Sequence, residues 1–301
     1  MIKKVVWASI ALSALLVAGC GTTNNSPNPS TAPANATGQT ANQTTAANAT
    51  ATATSTNQNT LKAQEIDLTV LPGAHLGPDG KKHDTFSPAD FTVVQGVPVK
   101  LTVYNYDGGT HTVTNADLGL NLQVKGSSHK GVPAASTVTF TPTKAGDFTW
   151  QCMDPCDGEA GGWAMTHDGY MQGVIHVVPN NNDKQYVTLT IKDGLQYASA
   201  DGKLHDSYSP ADFTVQKGIP VTVTVVNYDS GEHSLTAPEI GVNQVFQGAK
   251  KDGDPSVTTF SFTPDQTGNF TWHCEIKCDG GMTSYAMTHP GYMMGTIHVV
   301  S

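Results

Sequence analysis

Two sets of five side chains in this sequence have the types that hold soft or borderline metals. One set is His111, Cys152, Cys156, His167 and Met171; the other is His233, Cys274, Cys278, His289 and Met293. The intervals agree: 41 residues from the first His to the first Cys, 11 from the second Cys to the second His, and 4 from that His to the Met. Thiolate is a soft donor, imidazole a borderline one, and thioether a weak axial one. Two imidazoles, a thiolate and a distant thioether make the donor set of copper electron-transfer sites. The residue types therefore predict a copper centre in each set. Cys-x-x-x-Cys would also close as a disulfide in an oxidising compartment, and two Cys with two His would also hold zinc. Neither alternative gives the repeated Met a purpose.

The elements around these residues repeat as well. Residues 79–94 read DGKKHDTFSPADFTVV and residues 201–215 read DGKLHDSYSPADFTV. The same offset of 122 holds to the end, where GYMQGVIHVV at Gly169 is matched by GYMMGTIHVV at Gly291. A period of this size is a tandem pair of domains rather than a solenoid. Inside each copy the apolar runs are short, β-branched or aromatic, and bounded by Gly, Pro, Asn and Asp. They include Asp67–Leu71, Phe91–Val94, Val97–Tyr104, Thr137–Thr141 and Val174–Val178. No long helical period is present. The pattern predicts an all-β chain of two antiparallel sandwiches or barrels. Each Cys pair directly follows an aromatic strand, Phe148-Thr-Trp150 or Phe270-Thr-Trp272.

The segment Asn105-Tyr-Asp-Gly-Gly-Thr-His111, like Asn227-Tyr-Asp-Ser-Gly-Glu-His233, resembles the approach to the first copper ligand in cupredoxins. His233–Val242 resembles the first-ligand segment of cytochrome oxidase subunit II. Cys274-Glu-Ile-Lys-Cys278-Asp-Gly resembles that subunit's copper A loop, and Met293–Val300 its closing strand. The resemblance spans residues 61–179 and 185–301. It implies two tandem cupredoxin-like Greek-key domains, with both Cys as thiolate ligands, the two His as terminal ligands, Met171 and Met293 as axial donors, and the backbone carbonyls of Asp154 and Ile276 as further weak donors. In the oxidase subunit the second His follows the second Cys closely, whereas here ten residues intervene. One or two copper ions per domain both remain open.

The ends and the charge bound the setting. Lys3 and Lys4, an apolar run to Val17, and Ala18-Gly19-Cys20 read as a lipoprotein signal, with Cys20 the lipidated residue. Residues 21–61 are rich in Thr, Asn and Ala and carry no charge before Lys62, the composition of a disordered stalk. The domains are then expected at 62–179 and 185–301. These features predict an exported protein anchored to the bacterial membrane by lipid and facing away from the cytoplasm. A net charge of −9 with 14% charged residues lacks the basic footprint of a nucleic-acid binder. The chain has neither His-x-His nor Cys-x-x-Cys-His, the signatures of an oxygen-reducing copper cluster and of attached haem. An electron carrier serving a cytochrome or a membrane oxidoreductase is the expectation. The alternatives are copper(I) storage or delivery, and an electron-entry module of a terminal oxidase or reductase complex. Met165 and Met287 read as core filler or as an apolar rim for a partner. His83 and His205 recur in a polar segment, and their spacing assigns them no role.

Overall fold

The computed structural model describes residues 60–158, 161–181 and 184–301. The signal segment, Cys20 and nearly all of the expected stalk lie outside the described residues. The first copy holds nine strands: β1 (Gln64–Leu76), β2 (Lys82–Ser87), β3 (Phe91–Val94), β4 (Val99–Asn105), β5 (His111–Asn115), β6 (Leu120–Val124), β7 (Ala134–Phe140), β8 (Gly146–Gln151) and β9 (Gln172–Val178). The second repeats them as β10 (Gln185–Ala198), β11 (Lys203–Ser209), β12 (Phe213–Gln216), β13 (Val221–Asn227), β14 (His233–Ala237), β15 (Val242–Phe246), β16 (Ser256–Phe262), β17 (Gly268–His273) and β18 (Met294–Val300).

Each copy has one four-stranded and one five-stranded sheet. In the first copy the orders are β2-β1-β4-β7 and β3-β9-β8-β5-β6; in the second they are β11-β10-β13-β16 and β12-β18-β17-β14-β15. Pairing is antiparallel except β1 with β4, β3 with β9, and their counterparts. Alternation decides which faces meet. Ile66, Leu68 and Val70 of β1 point the same way, as do Ile175 and Val177 of β9, and these faces close on one apolar core. Trp150 lies fully buried at its centre, its Nε1–H donating to Ala89 O at 2.8 Å; Trp272 repeats this with Ala211 O. The expected strands thus appear as β1, β3, β4, β7 and β9.

Leu61 is buried against Val94, Val97 and Ile219. Ile219 belongs to the second copy, so the two copies share this contact. They also exchange reciprocal hydrogen bonds: Thr69 Oγ1 with Ser209 Oγ, and Thr190 Oγ1 with Ser87 Oγ, both 2.9 Å.

Candidate metal centre

The His111 end of the site is built by a turn between β4 and β5. Asn105, fully buried, donates from Nδ2 to Gly109 O and Lys125 O, each at 2.9 Å, and its Oδ1 accepts the Asp107 N–H at 2.8 Å. That amide supplies the turn's polar groups with partners they would otherwise lack away from water. The turn delivers His111 at the first position of β5 and Asp107 four residues before it. Asn227 repeats these bonds for Asp229 and His233.

The thiol end sits just past the central strand β8. Cys152 N–H donates to Met171 O at 2.9 Å, and Thr112 N–H reaches Cys152 Sγ at 3.4 Å. Thr112 Oγ1 in turn accepts Met153 N–H at 2.6 Å, so the residue after His111 holds the residue after Cys152. Ser234 does the same for Cys274 and Glu275.

His111 Nδ1 lies 3.1 Å from Cys156 Sγ and 3.9 Å from Cys152 Sγ. The two sulfurs are 2.7 Å apart and unbonded to each other. In the second copy His233 Nδ1 is 3.1 Å from Cys278 Sγ, and the sulfurs are 3.2 Å apart. Each group of three donors lies within 4.8 Å, and all six side chains are buried. The carbonyl oxygens of Asp154 and Ile276, which the resemblance makes weak donors, sit 3.0 Å from Cys156 Sγ and 3.1 Å from Cys278 Sγ.

The electrostatics fit a metal-binding triad. His111 Nε2 is 3.0 Å from Asp107 Oδ2, and His233 Nε2 is 2.8 Å from Asp229 Oδ2. Burial by itself would push these imidazoles down, but the hydrogen bonds to the carboxylate and to the first thiolate overcome it and raise each to about 9. The hydrogen bond from Cys156, followed by that from His111, holds Cys152 down at about 5; Cys274 is held at about 4 by Cys278 in the same way. Cys156 and Cys278 are pushed up, because each carries the proton its neighbour has given up. These shifts favour charge on the imidazole and on the first thiol of each pair, and keep the proton on the second. A cation bound there would compete with the protons on the imidazole and the second thiol. A braced imidazole with two thiolates suits copper, and the carboxylate on the far nitrogen is the usual outer partner of a metal-bound His.

The remaining expected ligands are placed differently from the triad. Met171 and Met293 are fully buried in the cores that also hold the cysteines, and each donates its N–H to the carbonyl of Ala164 or Ala286 at 3.1 Å. His167 and His289 are exposed and outside the groups of converging donors. His167 Nδ1 is 2.7 Å from Trp163 O, and its ring stacks on Trp163 with centroids 3.7 Å apart. His289 stacks on Tyr285 at 3.8 Å. Between the second Cys and the second His lies a short helical turn, Trp163–Thr166 or Tyr285–Thr288, whose first residue carries the ring that the second His stacks on. The turn also brings Met165 inward, so that Cys156 N–H donates to Met165 Sδ at 3.4 Å. Asp107, Thr112 and the sulfur of Met165 are site residues that ligand spacing did not reveal. All three positions recur at the 122-residue offset, as Asp229, Ser234 and Met287, and that recurrence was the available signal.

Residues 168–283 match the model of the cupredoxin-like domain family. The match runs from the end of the first copy through the Cys274/Cys278 loop, and the sheet orders of the two copies are the same. Over those residues the chain is similar to a cupredoxin-like domain. Copper is the cofactor that this fold and its two donor groups support. Solved structures similar to this chain include a blue copper oxidase from Nitrosomonas europaea, 15% identical, covering 79% of this chain and 86% of that one with a TM-score of 0.29. A copper-containing nitrite reductase from Thermus scotoductus SA-01 is 16% identical, covering 79% and 62% with a TM-score of 0.30. A copper nitrite reductase from Nitrosomonas europaea is 14% identical, covering 80% and 95% with a TM-score of 0.31. No curated protein matches the sequence.

Proposed function

We propose that the protein is an electron carrier with one cupredoxin copper centre in each domain. In this reading it is exported, tethered to the outer face of the membrane through lipid on Cys20, and serves a one-electron redox partner, a cytochrome or a membrane oxidoreductase. The observation that carries the proposal is the buried His111, Cys152, Cys156 triad braced by Asp107 and rebuilt at His233, Cys274, Cys278 with Asp229.

Bound copper supplies a reversible one-electron couple. The chain's own residues hold the donors still. Asp107 keeps Nε2 engaged, so Nδ1 faces the sulfurs. Thr112 ties the two ligand strands together. The core around Trp150 excludes water from the thiolates. A donor set locked in this way changes little between oxidation states, as an electron carrier requires. One imidazole per group of donors favours a single copper ion per domain. Among the described residues no helix is long and apolar enough to cross a membrane.

Two thiolates per site also suit copper(I), which favours storage or delivery as the second reading. Burial of all three donors opposes the fast exchange that delivery needs. The deciding experiment is electron paramagnetic resonance with copper quantitation on the full chain, followed by voltammetry. Two coppers per chain, a thiolate-type signal and a reversible potential are expected. Rapid loss of copper to a chelator with no reversible wave would favour delivery, and failure to take up copper would sink both readings.

A further inference from the structure

His83 and His205 take no part in the triads, yet both are buried beside them. His83 Nδ1 is 2.7 Å from Asp157 Oδ2, and its Nε2 is 3.1 Å from Asp79 Oδ1. His205 repeats this with Asp279 at 2.8 Å and Asp201 at 3.0 Å. A ring nitrogen that faces a carboxylate oxygen donates to it, and both nitrogens do so here, so each ring is an imidazolium. Asp157 directly follows Cys156 and has φ of 57°; Asp279 follows Cys278 with φ of 52°. This left-handed backbone is costly for a residue with a Cβ and persists only where its surroundings enforce it. The enforcing bonds are visible. Asp157 Oδ2 also accepts Ala164 N–H at 3.3 Å, and Asp157 N–H donates to Asp84 Oδ2 at 3.2 Å. One carboxylate thus joins the cysteine loop to β2 and to the helical turn.

A ring covers this bridge. Trp163 stacks on His83 at 4.3 Å and on His167 at 3.7 Å. In the second copy Tyr285 stacks on His205 at 4.6 Å and on His289 at 3.8 Å. Tryptophan and tyrosine share little besides a flat ring, so the stack is the feature that both copies keep.

We propose that the Asp79–His83–Asp157 bridge, roofed by Trp163 and His167, is a clamp that positions Cys156 as the second thiolate ligand, and that Asp201–His205–Asp279 does the same for Cys278. His167 and His289 close the stack and do not bind the metal. The inference rests on the copper reading above and goes beyond it by assigning positioning residues and removing two ligands from the spacing-based set. The long stretch after the second Cys, which sets this chain apart from the oxidase subunit, is the segment that builds the clamp.

The test uses the full chain loaded with copper(II). Electron–nuclear double resonance on the wild type is expected to show one strongly coupled histidine nitrogen per copper; two would overturn the assignment of His167 and His289. His83→Phe keeps a ring over Trp163 and removes both hydrogen bonds. It is expected to leave half the sites with wild-type affinity and signal, and to weaken the other half about 10- to 100-fold with an altered hyperfine pattern. The untouched second copy serves as the internal control for folding. Asp79→Asn, at the surface, decides the matter if His83→Phe does not fold, and is expected to shift the same half of the sites in the same direction. His176→Gln, an exposed strand histidine beside Asp147, is the control and is expected to move nothing. Wild-type titrations and spectra for both His83→Phe and Asp79→Asn would overturn the clamp. A wild type that takes up no copper would overturn the copper reading itself, before any variant is compared.

Discussion

His111, raised to about 9, and Cys152, lowered to about 5, hold one titrating proton between them in the folded state across neutral pH, on the imidazole. An unfolded chain also holds one proton on such a pair, on the thiol, once its His has titrated. The pair therefore adds little slope to stability around pH 7 to 8. His83 and His205 behave differently. Burial opposes their charge, but the hydrogen bonds to their two carboxylates prevail and raise them above the ordinary 6.5. The groups facing His83 are Asp79 and Asp157, with Asp84 behind them; His205 has Asp201, Asp279 and Asp206. A raised folded value means that the folded state holds protons the unfolded state has released. The stabilisation is complete below about pH 6.5 and is lost as pH climbs through the raised values. The melting midpoint of the copper-free protein is expected to fall from pH 6.5 upward, and His83→Phe with His205→Phe is expected to flatten that fall. An unchanged slope in the double variant would refute the assignment. The first copy offers a second check, because Cys156→Ser removes one of the only two thiolates in its group. Half the bound copper is expected to be lost, as read by metal quantitation after gel filtration.

The elements that aim the ligands are tight turns, and tightness is their vulnerability. Gly126 lies so close to the His111 turn that a Cβ there would collide with Gly108 O; Gly248 stands in the same relation to Ser230 O. Gly126→Ala forces the two segments apart. An overpacked contact of this kind costs about 1–3 kcal/mol, and the displaced turn carries Asp107 and His111 with it. A melting point lower by several degrees and an altered copper signal at one of two sites are expected from calorimetry and paramagnetic resonance. A normal signal would show that the turn does not aim the histidine. Much of this scaffold was legible from the residues. Alternating β-branched runs marked β1, β3, β4, β7 and β9, and the 122-residue offset marked the duplication. The strands β2, β5 and β6 escaped, because Lys82–Ser87, His111–Asn115 and Leu120–Val124 are short, and the first two are dominated by polar residues. The triad was legible because its members start or follow strands, where chain spacing and position in space are tightly linked. The placing of His167 was not, since a ten-residue insertion leaves the direction of a side chain unspecified by spacing. The folded turn stacks its ring on Trp163.

At the scale of the whole molecule the two copies share a boundary that neither could leave exposed cheaply. Leu71 and Ala74 of the first copy pack with Leu195, Val226 and Tyr228 of the second, and all five are buried. Leu76 N–H donates to Gly253 O at 2.7 Å, Tyr197 N–H donates to Gly131 O at 2.9 Å, and Lys82 pairs with Asp252 at the surface. The ion pair is exposed and contributes little; the apolar cluster is the coupling element. Copper binds a folded site and not an unfolded chain, so loading one copy stabilises that copy by mass action, about 2.7 kcal/mol at a hundredfold excess over the dissociation constant. If the boundary couples the copies, this stabilisation spreads to both. In a Cys152→Ser, Cys156→Ser variant, copper added to the second site is then expected to raise the melting of the entire chain in one calorimetric transition. Leu195→Ala cuts into the shared cluster, at a cost of about 2–5 kcal/mol for a buried leucine. Introduced into the same variant, it is expected to split the transition, so that copper shifts only the component belonging to the second copy. Two separate transitions before Leu195 is changed would mean that the copies fold independently, and that the shared cluster sets their arrangement without linking their stabilities.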